Sequence, residues 1–486
     1  MVTLIAGWDV ACDLGGAFLD VVAVGAERRV TKRARGAATL PKLLLAALEE
    51  LRIAPEAVRR IRLSSTLAAN ALLHGEAAPA ALVATAGFAD LPDLGRQSRR
   101  DPDSDPPPPP TPPWLSPRGW RFALAGRIDA AGNEVEALQP DNLGPVLHLP
   151  SGTPVALCLL FAHLNSAHER AAAAWIAARR PDLPLSFSHL VDPAPREFER
   201  MLATLTDAAL KPLAARHALP DPLPEPWVMQ AQGGLAPLSA MRARPLGLVA
   251  SGPAAGALAV ARLVTAGAAI GLDIGSTTVE VSLHREGQPL CARQLQIGEM
   301  ALRGATLDLE SFALAEMVEI AEAVRRFAWR RGIDPAEATL VVGGGAGPAH
   351  ASALAEALRP RALIVPAEAA VMAATGLHLA PALAFRSRAC DLPLAALATL
   401  DHAAPTADLA QQLLGWGAEA PAVTHELDLA PNPRAEPIAL GWDPAGDTPE
   451  SLGARYNEAA RSLRGVAPSG VPRIVALRST GTAMLP

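Results

Sequence analysis

The stretch Gly271-Leu-Asp-Ile-Gly-Ser-Thr-Thr-Val-Glu-Val-Ser-Leu283 decides the fold. It reads as a buried strand, a tight turn of small residues and a second strand. Asp273 stands where the first strand ends. Gly275 and Ser276 let the backbone approach a ligand closely, and Thr277 and Thr278 add hydroxyls. Backbone N–H groups for an anion and an acid for a cation suit a nucleotide's phosphates and their metal. A similar hairpin lies near the N-terminus, Cys12-Asp-Leu-Gly-Gly-Ala-Phe-Leu-Asp-Val-Val22. The pair implies a duplicated architecture with a ligand between the halves.

With 486 residues, half of them hydrophobic, two or three domains are expected. The net charge of −6 gives no nucleic-acid footprint. Basic residues are nearly all Arg; the lysines are Lys32, Lys42 and Lys211. The four cysteines (Cys12, Cys158, Cys291, Cys390) form no C-x-x-C pair, so neither a zinc knuckle nor a redox pair is indicated. Cys12 and Cys158 sit in apolar runs and are expected to be buried thiols. The N-terminus carries no signal-peptide pattern and no long uninterrupted apolar run occurs. A soluble cytoplasmic protein without membrane contact is the expectation.

Strand and helix patterns alternate along the chain, which predicts α/β layers with largely parallel sheets. Strands are expected at residues 59–65, 80–85, 155–161, 185–189, 339–343 and 362–366. Helices are expected at 38–52, 167–180, 196–213, 251–264, 309–331, 349–358 and 368–379. Residues 121–135 alternate like a hairpin turning at Ala130–Asn133. Pro106–Pro110 reads as a polyproline II connector, an SH3-type ligand being the alternative. After residue 385 the pattern weakens to strands at 422–429, 437–442 and 473–478 with a helix at 451–464, a small α+β domain.

Eight motifs in collinear order resemble the hydantoinase A / oxoprolinase family, a branch of the actin-like ATPase superfamily. The first hairpin is similar to D-x-G-G-T-F-T-D-V-V. Ser64–Leu73 is similar to G-T-T-V-A-T-N-A-L-L, and Thr85–Asp101 to T-x-G-F-R-D-x-x-x-I-G-R-Q-N-R-P. Glu197–Leu213 and Met229–Gly234 resemble the family's E-Y-E-R helix and M-Q-S-N-G-G. Ser251–Gly256 matches S-G-P-A-A-G outright. The central hairpin resembles D-M-G-G-T-S-T-D-V-S, and Gly343–His350 resembles G-G-A-G-P-L-H. There are departures. Ala17 and Leu19 replace two threonines; Ser276, Val279 and Glu280 replace a glycine, a threonine and an aspartate. Ser282–Thr339 lacks the family's G-A-G-G-G-S loop and P-G-P-A-C-Y-G stretch. The chain therefore resembles a shortened and divergent member.

The resemblance implies two actin-like (ribonuclease H-like) domains around a nucleotide cleft, at 1–190 and 191–385, plus a small C-terminal α+β domain at 386–486. It implies an ATP-dependent hydrolase that opens a cyclic amide such as a hydantoin or 5-oxoproline, working with a hydantoinase B-like subunit. Asp13 and Asp273 would hold Mg²⁺ or another divalent metal and orient water or phosphate. Gly15, Gly16, Gly275, Ser276, Thr277 and Thr278 would line the phosphates of ATP. Gly343, Gly344, Gly345 and Gly347 would leave room for the adenosine. Asp20 and Glu280 read as hairpin-partner acids or as catalysts. His163, His168 and His189 read as surface or satisfied core histidines rather than a metal set. Arg96–Arg100 is a solvated loop or a grip for an anionic substrate, and Asn70 a helix cap or, on the sharper reading, a pocket residue. A degenerate actin-like scaffold, or a small-molecule kinase, are the alternatives.

Overall fold

The computed structural model describes residues 7–97, 110–432, 435–464 and 470–485. Ser98–Arg100 of the polar loop and Pro106–Pro109 of the proline run lie outside the described residues. The chain divides into two compact units. The first comprises the described parts of 1–80, 99–117 and 206–380; the second those of 81–98, 118–205 and 381–486. Among the described residues no helix is long and apolar enough to cross a membrane.

The first unit repeats one motif. In its first half, β1 (Trp8–Leu14), β2 (Phe18–Val24) and β3 (Arg28–Ala34) run antiparallel, and β4 (Val58–Ser65) pairs β1 in parallel. β5 (Trp227–Met229) extends the sheet beside β4, with β6 (Leu235–Pro237) antiparallel at its side. Helix α1 (Leu40–Glu50) buries Leu40, Leu43, Leu44, Ala47 and Leu48, a stripe at helical spacing. Helix α2 (Leu67–Leu73) follows β4 directly. Its entry is held by Ser65 Oγ, which accepts from the Leu67 amide. Asn70 is an interior residue of α2 whose amide donates to Thr66 Oγ1, so it is not the cap expected from sequence.

The second half opens with helix α3 (Ser251–Leu263) and then repeats the pattern. β7 (Ala268–Ile274) and β8 (Thr278–Arg285) form the central hairpin. A separate ribbon, β9 (Cys291–Ile297) with β10 (Met300–Leu307), follows. β11 (Leu309–Ala313) then returns to pair antiparallel with β8. Helix α4 (Met317–Trp329), β12 (Thr339–Gly343), helix α5 (Gly347–Leu358) and β13 (Ala362–Ile364) complete the half, with β12 parallel to both β7 and β13. Leu309–Ala313 corrects the sequence expectation of one helix over 309–331. The third strand of the motif takes these residues, and helix begins only at Met317. From there Ile320, Ala321, Val324, Phe327 and Ala328 supply a buried stripe. They pack with Ile270, Leu272, Val281 and Leu340 in one core.

Helix α6 (Met372–Leu377) and the turn after it tie the halves of this unit together. Arg62, nearly fully buried, donates to the carbonyls of Leu377 and His378 at 3.2 and 3.3 Å and pairs with Asp9 at 2.9 Å. His378 Nε2 lies 3.1 Å from the Val22 carbonyl. Arg28 spans to Glu368 through two hydrogen bonds.

In the second unit, residues 185–187, 155–158, 81–85 and 121–124 form a four-stranded parallel sheet in that spatial order. Residues 121–124 therefore belong to a parallel sheet; only 127–128 and 134–136 form the expected hairpin. The apolar run 155–161 leaves the ladder after Cys158, because the Leu159 amide donates to Glu169 and the Leu160 amide to Thr85 Oγ1, both at 3.0 Å. The strand expected at 185–189 likewise ends at Phe187, where a short helix begins. The C-terminal part is an antiparallel sheet in the order 438–442, 419–430, 473–484, 382–393, with helices at 403–415 and 449–464. Strand 382–393 and helix 403–415 fall where the sequence pattern is weak.

Gly376 is the most closely packed of the described glycines of the first unit: a Cβ there would overlap the Ala255 carbonyl of α3. Gly376→Ala is expected to destabilise the protein by about 1–3 kcal/mol through overpacking. The urea midpoint measures this, and an unchanged midpoint would contradict the close α3–α6 contact.

Candidate functional site

The two hairpins of the first unit are built alike. Asp13 pairs with Asp20 across the first, and Asp273 with Glu280 across the second. The Gly15 amide donates to the Phe18 carbonyl at 3.0 Å; the Gly275 amide donates to the Thr278 carbonyl at 2.9 Å. Both tips, Gly16–Phe18 and Ser276–Thr278, are exposed. On the parallel side, Asp13 neighbours Ser64 and Asp273 neighbours Gly343.

Helix α3 passes both aspartates. A Cβ on Gly252 would stand 3.5 Å from Asp13 Oδ1, and one on Gly256 would stand 3.4 Å from Asp273 Oδ2. Residues four apart share a helix face. The S-G-P-A-A-G segment thus offers one glycine to each carboxylate, and clears a strip of space beside both. Gly344, with φ of +85°, closes the other side of Asp273; a Cβ there would overlap that carboxylate and the Ile274 backbone. Its turn is fixed by the Gly344 amide donating to Ala369 and the Ala346 amide to Ile274, at 2.8 and 3.0 Å.

The electrostatics are lopsided. Ser64 Oγ donates to Asp13 at 2.6 Å, and Lys32 pairs with Asp20 at 2.7 Å. Lys32 also donates to the Ala370 carbonyl at 3.2 Å, reaching into the second half of the unit. No side-chain hydrogen bond reaches Asp273 or Glu280 among the described residues. Burial pushes Asp13 up to about 6, with Asp20 adding to the effect and Ser64 and Lys32 opposing it. Burial pushes Asp273 up to about 7, and the charges of Asp13 and Asp20 add to it against Lys32. Glu280 is driven well above the carboxylate range by burial, then by Asp273 and Asp13. Four acids around one lysine make a site short of positive charge.

A divalent cation would correct that deficit. Mg²⁺ takes one or two carboxylates and fills its other positions with water and phosphate oxygens. Among the described residues no group of three or more His, Cys, Asp or Glu could cage a metal. The donor set, two carboxylates beside a glycine-cleared strip, therefore fits a cation that arrives with a nucleotide.

Asp13, Gly15, Gly16, Asp273 and Gly275–Thr278 lie at the corresponding ends of the two hairpins. The glycines after β12 divide in role. Gly345 is exposed, and a Cβ there would lie 3.7 Å from Lys32 Nζ. Gly343 and Gly347 face protein: a Cβ would overlap Met372 at the first and stand 3.2 Å from Val342 at the second. Leu19 and its counterpart Val279 are fully buried, so a hydroxyl at either position would face the core. Ala17, by contrast, is exposed at the first tip, where the second tip offers Thr277.

Sequence reasoning passed over Lys32, Ser64, Gly252 and Gly256. Lys32 had a signal, being one of three lysines in an arginine-rich chain. The two glycines had theirs in the four-residue spacing of S-G-P-A-A-G. The histidines are individually partnered: His168 with Glu134, His189 with Glu169 and His163 with Arg200. Arg96 pairs with Glu199.

Two family descriptions match the sequence: the hydantoinase/oxoprolinase N-terminal region over residues 9–179, and hydantoinase/oxoprolinase over 202–318 and 312–385. An uncharacterized protein of Methanocaldococcus jannaschii is 29% identical over 61% of this chain and 46% of its own length. The caprolactamase subunit alpha of Pseudomonas jessenii is 28% identical over 46% of this chain and 34% of its own. 5-Oxoprolinase 1 of Arabidopsis thaliana is 27% identical over 54% of this chain and 23% of its own. The chain thus spans less than half the length of these curated relatives. The crystal structure of ATP-dependent caprolactamase from Pseudomonas jessenii superposes with a TM-score of 0.81 at 18% identity, covering 98% of this chain and 88% of that one. Nucleotide-free acetone carboxylase gives 0.76 at 16% identity, covering 99% of this chain and 88% of that one. The fold is the mixed α/β architecture of those two structures.

Two outcomes follow from the geometry. Asp13 and Asp273 hold protons in the folded state between pH 4 and about 6 to 7, where the unfolded chain has released them. The folded state binds more protons there, so stability falls as pH rises through that window, at up to about 1.4 kcal/mol per pH unit for each proton held. The melting temperature is expected to drop from pH 5 to pH 8, and Asp273→Asn is expected to flatten the drop; equal slopes would contradict the assignment. Gly256→Ala adds a methyl beside Asp273 at a helix-interior position. It should keep or raise the melting temperature while weakening Mg-ATP binding at least tenfold by calorimetry. Undiminished binding would show that the cleared strip does not matter.

Proposed function

This chain belongs to the hydantoinase/oxoprolinase family, and from that premise we propose that it is the nucleotide-binding subunit of an ATP-dependent cyclic-amide hydrolase. The observation that carries the reading is the paired hairpin. Two half-buried carboxylates, Asp13 and Asp273, sit against successive glycines of one helix with their affinity for protons raised.

An unstrained lactam is a poor electrophile, and phosphorylation of its carbonyl oxygen makes ring opening and ATP cleavage one coupled process. The protein's part in such chemistry is positioning and electrostatics. Asp13 and Asp273 would hold a divalent cation, which supplies charge neutralisation at the phosphates. Gly15, Gly16, Gly275, Ser276, Thr277 and Thr278 would present backbone amides and hydroxyls to those phosphates. Lys32, already tied to Asp20, stands next to Gly345, and would add a positive charge at the turn that Gly344 and Gly345 form. Gly343 and Gly347 would keep that turn close to the sheet, leaving space for the nucleoside. The substrate ring is of the hydantoin or 5-oxoproline type. A hydantoinase B-like subunit completes the enzyme, and the reaction is placed in the cytoplasm, where ATP is supplied.

One feature favours a second reading. The first tip lacks a hydroxyl at Ala17, as a degenerate, non-catalytic nucleotide-binding or scaffold protein would. Calorimetric titration separates the readings. The chain should bind Mg-ATP, and Asp273→Ala should weaken that binding at least tenfold. Turnover should require a cyclic amide and the partner subunit. Absence of Mg-ATP binding at millimolar nucleotide would overturn both the enzyme and the nucleotide-binding reading. Binding without any cyclic-amide-dependent turnover in the presence of partner would leave the scaffold.

A further inference from the structure

A second cluster of chemically capable side chains lies wholly inside the other compact unit. Its parallel sheet runs 185–187, 155–158, 81–85, 121–124 in space. From strand 81–85 the chain moves to one side, and from 155–158 to the other. The boundary between these two strands is a topological switch point, and open α/β sheets bind ligands outside the carboxyl ends of their strands there. Thr85, Leu159, Leu160, Ser188 and His189 stand at or just beyond those ends.

One hydrogen-bond network joins them. Glu169 is fully buried and accepts from the Leu159 amide, from Ser188 Oγ, and from the amide and Nδ1 of His189. Arg200, also fully buried, donates to the Leu159 carbonyl at 2.9 Å and to His163 Nδ1 at 2.7 Å. The backbone of Leu159 therefore joins a buried carboxylate through its amide to a buried guanidinium through its carbonyl. Four donors converge on Glu169, which fixes the proton of His189 on Nδ1, 2.6 Å from the carboxylate. Nε2 then carries a lone pair, and no hydrogen bond reaches it among the described residues. The His189 side chain is 12% exposed. Phe161 and Arg196 hold positive φ of 54° and 79° on the loops beside the cluster. Such backbone conformations in non-glycine residues concentrate at functional sites. A buried carboxylate that sets the tautomer of a histidine leaves the opposite nitrogen as a proton acceptor.

We propose that the carboxyl ends of these strands form a second small-molecule site, where His189, aligned by Glu169, accepts the ring N–H of a cyclic amide. The ligand class rests on the function proposed above; the acceptor rests on the hydrogen bonds alone. The N–H donates into the free lone pair, and the partial positive charge drawn onto the ring is balanced by the Glu169 carboxylate on Nδ1.

His189→Asn tests this with little disturbance, because the Asn amide can donate to Glu169 where Nδ1–H does, while the Nε2 lone pair is gone. The probes are 5-oxoproline and caprolactam, followed by saturation-transfer NMR on the full chain without nucleotide. The wild type should bind at least one of them, and His189→Asn should bind it at least tenfold more weakly. Mg-ATP affinity, read by calorimetry, should be unchanged in the variant. Should the variant not fold, ¹⁵N-histidine spectra of the wild type decide: the His189 Nε2 resonance should shift and saturate with probe. Wild type that binds neither probe, a variant that binds as wild type does, or an Nε2 resonance indifferent to probe would overturn the proposal. Failure of Mg-ATP binding alone would sink the nucleotide reading and leave this site standing on the probe titrations.

Discussion

The first unit depends on holding two aspartates partly out of water next to one helix. Burial of an unpaired carboxylate is costly, and it is relieved by protonation or by a cation. Among the described residues one hydroxyl, that of Ser64, bonds to Asp13, and the nearby Lys32 is already committed to Asp20. The rest of the local structure keeps the pair in place without neutralising it. Strand pairing fixes each aspartate at a strand end, Gly252 and Gly256 keep α3 from covering them, and Gly344 lets the turn after β12 close behind Asp273. A fold that leaves charge unsatisfied in this way is prepared for a positively charged visitor.

The duplication is not symmetric, and the asymmetry has a physical content. Asp20 faces Lys32 across β2 and β3, whereas Glu280 faces Ser311 across β8 and β11. The first half brings the lysine, and the second brings the hydroxyls of Ser276, Thr277 and Thr278. Lys32 extends from the first sheet to the Ala370 carbonyl beside the glycine turn. Each half thus supplies groups that the other lacks. Position 19 belongs to the core, and the hydroxyl missing at position 17 has a counterpart at Thr277.

Much of this was legible in the sequence. The hairpins were, because a strand ending in Asp followed by small residues is a local pattern. The apolar faces of α1 and α4 were too, once the correct start of α4 is known. What was not legible depends on partners distant in the chain. Leu309–Ala313 is a strand because β8 offers it an edge, and nothing within those five residues says so. The run 155–161 breaks at Leu159 because a glutamate ten residues on and a threonine seventy-five residues back take its amides. The closeness of α3 to both aspartates is a tertiary fact, hinted at only by the spacing of two glycines. Asn70 looked like a cap because it is polar and near a helix start, but Ser65 holds the position that meets the free amide.

The central claim is that Asp13 and Asp273 together receive a cation carried by a nucleotide. Proton release on Mg-ATP binding tests it most directly. Calorimetric titrations at pH 6.5 in buffers of different ionisation enthalpy count the protons. With Asp13 near 6 and Asp273 near 7, both sites are partly protonated there. Binding should then expel a net fraction of a proton from the protein, beyond that released by the nucleotide itself, and Asp273→Asn should reduce it. Binding with no proton release from the protein, or with release that is the same in Asp273→Asn, would contradict the account.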